Sequence, residues 1–76
     1  MGRVRAKFVI CLWNDDCVDL EVRKVYLVLP DAAAAKDGYL RVVDESGEDY
    51  LYPANYFVPV EVPLAARKVL ATQLLA

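Results

Sequence analysis

The chain has 76 residues, 58% of them hydrophobic, with nine Lys and Arg against eleven Asp and Glu, a formal net charge of −2 and no histidine. That composition suits one small core, and a chain of this length hides only about 60–65% of its unfolded surface on folding, which leaves little room for a deep, walled active site. The missing histidine removes the commonest general base and metal ligand, and the mild negative charge gives no bulk attraction to phosphate or anionic lipid.

In chain order, residues 4–12 alternate: Val4, Ala6, Phe8, Ile10 and Leu12 point one way, and Arg3, Arg5, Lys7, Val9 and Cys11 the other. This is the period of a strand with one wet face, and its basic ladder is a device by which edge strands discourage pairing. Residues 14–23 are polar but hold Val18, Leu20 and Val22 at alternate positions, which predicts a folded loop that tucks these side chains beneath itself. Residues 24–29 (Lys-Val-Tyr-Leu-Val-Leu) are β-branched and aromatic, stop at Pro30, and read as a strand buried on both faces. Asp31, four alanines, Lys36 and Gly38 then supply an N-cap, a helical turn or slightly more, and a stop.

Residues 39–44 and 49–52 form the strands of a hairpin, with Glu45-Ser46-Gly47-Glu48 as the turn and Gly47 free to take positive φ. Asp44, Glu45, Glu48 and Asp49 read as a solvated hairpin tip whose substitution leaves the fold intact. Pro53 cannot donate to a ladder and Asn55 favours turns, so residues 53–56 are expected to make a 3₁₀ turn. Residues 57–61 return as a short fifth strand, marked as an edge by Pro59. Pro63 suits the first turn of a helix from Leu64 to about Leu75. Its docking face is Ala66, Leu70 and Leu74, flanked by Leu64 and Ala71, while Arg67, Lys68, Thr72 and Gln73 cover much of the other side.

The basic start followed by Phe8-Val9-Ile10-Cys11-Leu12-Trp13 imitates a signal peptide, but the apolar run is short and Asn14-Asp15-Asp16 follows at once. Nothing approaches the ~20 apolar residues of a membrane span, so the expectation is a soluble cytoplasmic protein. Cys11 and Cys17 are then expected to be reduced, Cys11 as a small hydrophobe on a strand. Cys17 lies among Asp15, Asp16 and Asp19, whose charge disfavours a thiolate. Those carboxylates and Glu21 lack the Gly and terminal Glu of a calcium loop and read as a solvated acidic loop, so no metal site or cofactor is assigned.

The run Tyr50-Leu51-Tyr52-Pro53-Ala54-Asn55-Tyr56-Phe57 resembles the Pro-x-Asn-Tyr segment that ends the fourth strand and makes the 3₁₀ turn of SH3 domains. The order of strands and loops extends the likeness over residues 4–61, and residues 38–53 look like small bacterial SH3-like proteins of uncharacterised role. The resemblance implies a mainly β fold: a five-stranded SH3-like barrel over residues 1–62, with the helix of residues 63–76 packed on it or on a partner. It also implies a groove for proline-rich peptides in which Pro53 and Tyr56 are members and Leu51 stands where a groove aromatic often does. The first strand here lacks the tyrosine-rich segment that completes such a groove, and Trp13, the one tryptophan, opens the long first loop instead.

The function expected from these readings is a small non-enzymatic protein-interaction module for an unidentified protein partner, with Trp13, Leu51, Pro53 and Tyr56 as the binding residues and Tyr26 and Tyr52 in the core. The alternative is RNA or ribosome-associated binding through Arg3, Arg5, Lys7, Arg23, Lys24 and Arg41 on one basic face. An enzyme is not expected, because the residues of a nucleophile and base pair are missing. Self-association through Leu70 and Leu74 of the last helix is a further expectation.

Overall fold

A computed structural model describes residues 7–75, with side chains described for residues 7–70. The elements are β1 (Lys7–Cys11), β2 (Val25–Leu29), α1 (Ala32–Lys36), β3 (Tyr39–Val43), β4 (Asp49–Pro53), a 3₁₀ turn (Ala54–Tyr56), β5 (Phe57–Val60) and α2 (Leu64–Leu75). The strands form one antiparallel sheet in the order β4-β3-β2-β1-β5. Among the described residues no ladder joins β4 to β5, so the sheet is open and the expected barrel closure is not seen in the strand pairing. Val4, Ala6, Arg3 and Arg5 lie outside the described residues.

The registers divide the side chains between two faces. Val9 stands opposite Tyr26, Cys11 opposite Phe57, and Val28 opposite Val42. With Leu20 from the first loop these residues make one buried cluster, against which Cys17, Leu40, Tyr52 and Tyr56 pack. Phe8 stands opposite Leu27 and Leu27 opposite Val43, and this trio forms the second cluster, on the other face. Val25, Leu29, Val60, Val62 and Leu70 of α2 cover it. The sheet is thus sandwiched between the folded first loop and the last helix.

Three expectations change here. The first strand is not an edge with a wet face: β1 pairs on both sides, and Val9 and Cys11, assigned to the wet side, are buried. In α2, Leu64 is exposed rather than docked, while Arg67 turns inward and sets its guanidinium 5.8 Å from the Phe8 ring centroid. Of the residues expected to tuck under the first loop only Leu20 does; Val22 is exposed and Val18 is 92% exposed.

Local chemistry explains the connections. The Asp31 carboxylate accepts from Ala34 N at 2.9 Å to cap α1, and Gly38, at φ 83, ends it in a conformation that costs an L-residue strain. Arg23 and Lys24 together oppose Cys11: Arg23 N donates to Cys11 O at 2.6 Å and Cys11 N to Lys24 O at 2.9 Å. This bulge puts Arg23 at φ 70 and turns the first loop back over the sheet.

The hairpin tip is exposed at Glu45, Glu48 and Asp49, as its letters suggest, but one of its carboxylates is buried. Asp44 is 5% exposed. Its Oδ1 accepts from Ser46 N at 2.9 Å and from Ser46 Oγ at 2.5 Å, and its Oδ2 accepts the Tyr52 hydroxyl at 2.6 Å. Gly47, at φ 85, allows the chain to close this ring. Burying a carboxylate is tolerable only because its acceptor capacity is filled, and removing it strands the Tyr52 hydroxyl against the core. Asp44→Ala should therefore cost about 2–4 kcal/mol in urea unfolding, whereas Glu48→Ala, at an exposed position, should stay within about 0.5 kcal/mol; equal small effects would mean that the carboxylate is structurally idle.

Candidate interaction surface

Where β1 ends, the chain does not leave the sheet. Leu12 N and Trp13 N both donate to Tyr56 O, at 2.7 and 3.3 Å, so the start of the first loop is fastened to the 3₁₀ turn before β5. This fastening holds the backbone of Trp13 in place while leaving the residue 60% exposed. Leu12 beside it is also exposed, and Tyr56 is half-buried against Phe57, its ring tilted at 48° with centroids 6.4 Å apart. Cys11 Sγ donates to Trp13 O at 3.2 Å, which ties the same peptide to the core below.

The acidic loop then folds back beside these aromatics. Cys17 N donates to Asn14 O at 2.6 Å, closing a turn whose third residue, Asp16, sits at φ 58, a conformation that a short polar side chain tolerates. Asn14 Nδ2 donates to Leu20 O at 3.1 Å, clasping the loop across its base. The Tyr56 hydroxyl is pushed up from its ordinary pKa by burial first and then by the negative charge of Asp15, Cys17 and Asp16. The Cys17 thiol is itself raised, by burial and then by Asp15 and Asp16, and the Cys11 thiol is raised chiefly by burial. Neither is an activated nucleophile.

A second set of bonds holds the far end of the loop. The buried Tyr26 hydroxyl accepts from Glu21 N at 2.7 Å and donates to Glu45 Oε2 at 2.6 Å, and Lys24 Nζ reaches the same oxygen at 2.6 Å. Glu45 N donates to Asp19 O at 2.9 Å. The first loop and the β3–β4 turn are therefore locked together, and Glu45, expected to be dispensable, is the hub of the lock. The hydrogen bonds from Lys24 and then Tyr26 hold its carboxyl below the ordinary glutamate range.

The four residues expected to bind together separate into two places. Trp13 and Tyr56 meet through the backbone bond. Leu51 stands opposite Arg41 and Pro53 opposite Tyr39, and along β4 they share the sheet face that carries Leu27 and Val43, away from the face against which Tyr56 packs. Spacing in the sequence did not show this separation, because it depends on strand register. Two of the four described members of the expected basic face are engaged: Arg41 Nε reaches Asp31 Oδ2 at 2.8 Å, its Nη1 reaches Asp49 Oδ2 at 3.0 Å, and Lys24 is on Glu45, while Lys7 and Arg23 are exposed.

Two open clefts of about 270 and 360 Å³ lie elsewhere, one beside α1 with Pro30, Ala32 and Tyr39, the other between β5 and α2 with Pro59, Val62 and Arg67. Lys7 lines both, with Asp31 in the first and Glu61 in the second. Among the described residues no three His, Cys, Asp or Glu side chains converge as a metal site, and no helix is long and apolar enough to cross a membrane. No protein-family model, curated protein or solved structure matches the chain.

The lowered pKa of Glu45 sets an acid dependence with a definite sign. A carboxyl whose folded pKa lies below its unfolded value contributes stability that is complete above the unfolded value and is lost as pH falls through the folded one. Chemical unfolding at a series of pH values should show stability falling below about pH 4.3, the ordinary glutamate value. Glu45→Gln should flatten that limb. An acid limb unchanged in the variant would mean that the lock carries no such linkage.

Proposed function

We propose that the chain is a non-enzymatic protein-interaction module built on an SH3-like sheet, and that its binding surface is Leu12, Trp13 and Tyr56, rimmed by Asp15 and Asp16. The observation that carries this reading is Trp13, exposed although its backbone is bonded to Tyr56 O and its carbonyl accepts from Cys11 Sγ. A large aromatic presented on a rigid backbone forfeits little conformational entropy when a ligand covers it, which is why tryptophan and tyrosine dominate binding hot spots. The strand order and the 3₁₀ turn that precedes β5 support the SH3-like part of the reading.

The partner is a protein segment that carries apolar or proline residues next to lysine or arginine. Its apolar part stacks on Trp13 and Tyr56, and its cation meets Asp15 and Asp16 across the rim. Leu51 and Pro53 are not members of this surface, and the groove it forms differs from the one the SH3 resemblance implies.

Trp13 is the only tryptophan, so its fluorescence reports directly on the surface. A panel of synthetic peptides that combine Arg or Lys with Pro and Leu should include members that shift the Trp13 emission and the amide resonances of residues 12–17 and 56. Trp13→Ala should weaken those peptides at least tenfold, about 1.4 kcal/mol, with the melting temperature unchanged. The combined Asp15→Asn and Asp16→Asn variant should weaken them too and remove most of the salt dependence. The reading fails if no peptide in the panel shifts Trp13, or if the binders hold Trp13→Ala as tightly as the parent chain.

A further inference from the structure

The two edges of the sheet differ in a way that bears on assembly. In an antiparallel ladder, alternate residues turn their backbone N–H and C=O toward the neighbouring strand and the rest turn them outward. Leu12 N donates to Tyr56 O, and Val9 stands opposite Pro59, so by alternation Pro59 is an outward residue of β5. The outward donor in the middle of that edge is therefore a proline, which has none. The β5 edge is closed to strand addition.

Among the described residues the β4 edge is open. Asp44 N donates to Glu48 O at 3.0 Å and Ala54 N to Gly38 O at 2.8 Å, and these bonds bracket the β3–β4 ladder at both ends. With Val42 opposite Tyr50 and Leu40 opposite Tyr52, the two tyrosines turn their backbone groups inward. Asp49, Leu51 and Pro53 turn theirs outward. Among the described residues no group from a loop takes up the outward N–H or C=O of Leu51. No lysine, bulge or internal proline guards the strand, and its side chains include exposed Tyr50 and Leu51, the latter 46% exposed.

We infer that the β4 edge pairs with β4 of a second copy, antiparallel about a two-fold axis through Leu51, so that one sheet runs through both chains. The strand reads Asp-Tyr-Leu-Tyr-Pro, and its central three residues are the same in either direction. In this register Leu51 exchanges both its backbone bonds with Leu51 of the other copy. Tyr50 faces the other Tyr52 in a close, non-hydrogen-bonded pair, the arrangement in which cross-strand aromatics pack best. Asp49 N–H reaches the outward carbonyl of the other Pro53, whose missing N–H ends the ladder there.

Charge permits the same register. Asp49 already holds the Arg41 guanidinium at 3.0 Å, and the two Asp49 carboxylates fall at opposite ends of the ladder, about 13 Å apart, beyond one Debye length at physiological salt. The Tyr50 and Tyr52 rings are preset by hydroxyl bonds to Glu48 and Asp44, at 2.9 and 2.6 Å, so little ordering remains to be done on association.

Sedimentation equilibrium on the full chain between 5 µM and 1 mM tests this together with amide exchange read residue by residue. The expected result is a monomer–dimer equilibrium that tightens with added salt. The Leu51 and Asp49 amides should slow with rising protein concentration while those of Tyr50 and Tyr52, already bonded to β3, should not. Leu51→Lys, which sets like charges face to face at the axis, should weaken the dimer at least tenfold without lowering the melting temperature, and Tyr50→Ser should weaken it independently. A monomer throughout the concentration range overturns the inference. So does a dimer that persists in both variants with no protection at Leu51, which would place the interface on another surface such as α2.

Discussion

The structure rests on one requirement: the inner strands of the sheet are apolar on both sides, so both faces must be covered. Phe8 and Val9 are adjacent in β1 and point in opposite directions, yet each is buried, and Leu27 and Val28 repeat this in β2. A sheet of 76 residues' worth of chain cannot fold a second sheet over each face. The coverings are therefore the cheapest available, a loop on one side and a helix on the other. At about 25 cal/mol per Å² of apolar surface, these two coverings supply the burial that the five short strands lack by themselves.

Because the first loop is a wall of the core, it must hold a shape, and this need links the fold to the surface. Leu20 inserts from above, the Asn14 amide and the Arg23 bulge set the loop's two ends, and Tyr26 and Glu45 pin its far side to the β3–β4 turn. A loop stabilised in this way can carry exposed groups at fixed positions. Trp13 and the Asp15–Asp16 pair are displayed by the same bonds that keep Leu20 in the core. The arrangement is economical in a small domain, where no separate scaffold is available for a binding site.

The acidic letters show how far sequence reading reaches. Asp31 was legible, since a carboxylate before a run of alanines has one obvious use and the Ala34 bond realises it. Asp44 and Glu45 looked like surface charge because they adjoin a Gly-containing turn. Their partners, Tyr52 and Tyr26, lie eight and nineteen residues away, and nothing local announces which tyrosine hydroxyl will need an acceptor. The basic letters behave alike: Arg41 was counted toward a positive face, but it stands between Asp31, the N-cap of α1, and Asp49 of β4.

By itself the sequence determined the number, order and approximate bounds of the strands, the two helices, the 3₁₀ turn, the left-handed glycine at the hairpin and the edge position of the fifth strand. These follow from period, propensity and turn chemistry, which act over a few residues. The tertiary structure alone decided that the first strand lies inside the sheet, that Trp13 meets Tyr56 while Leu51 and Pro53 lie elsewhere, and that α2 turns Arg67 rather than Leu64 toward the core. Each of these depends on register between segments far apart in the chain. A shift of one residue in that register would exchange the two faces of a strand, and no local pattern in a doubly apolar strand says which face is which.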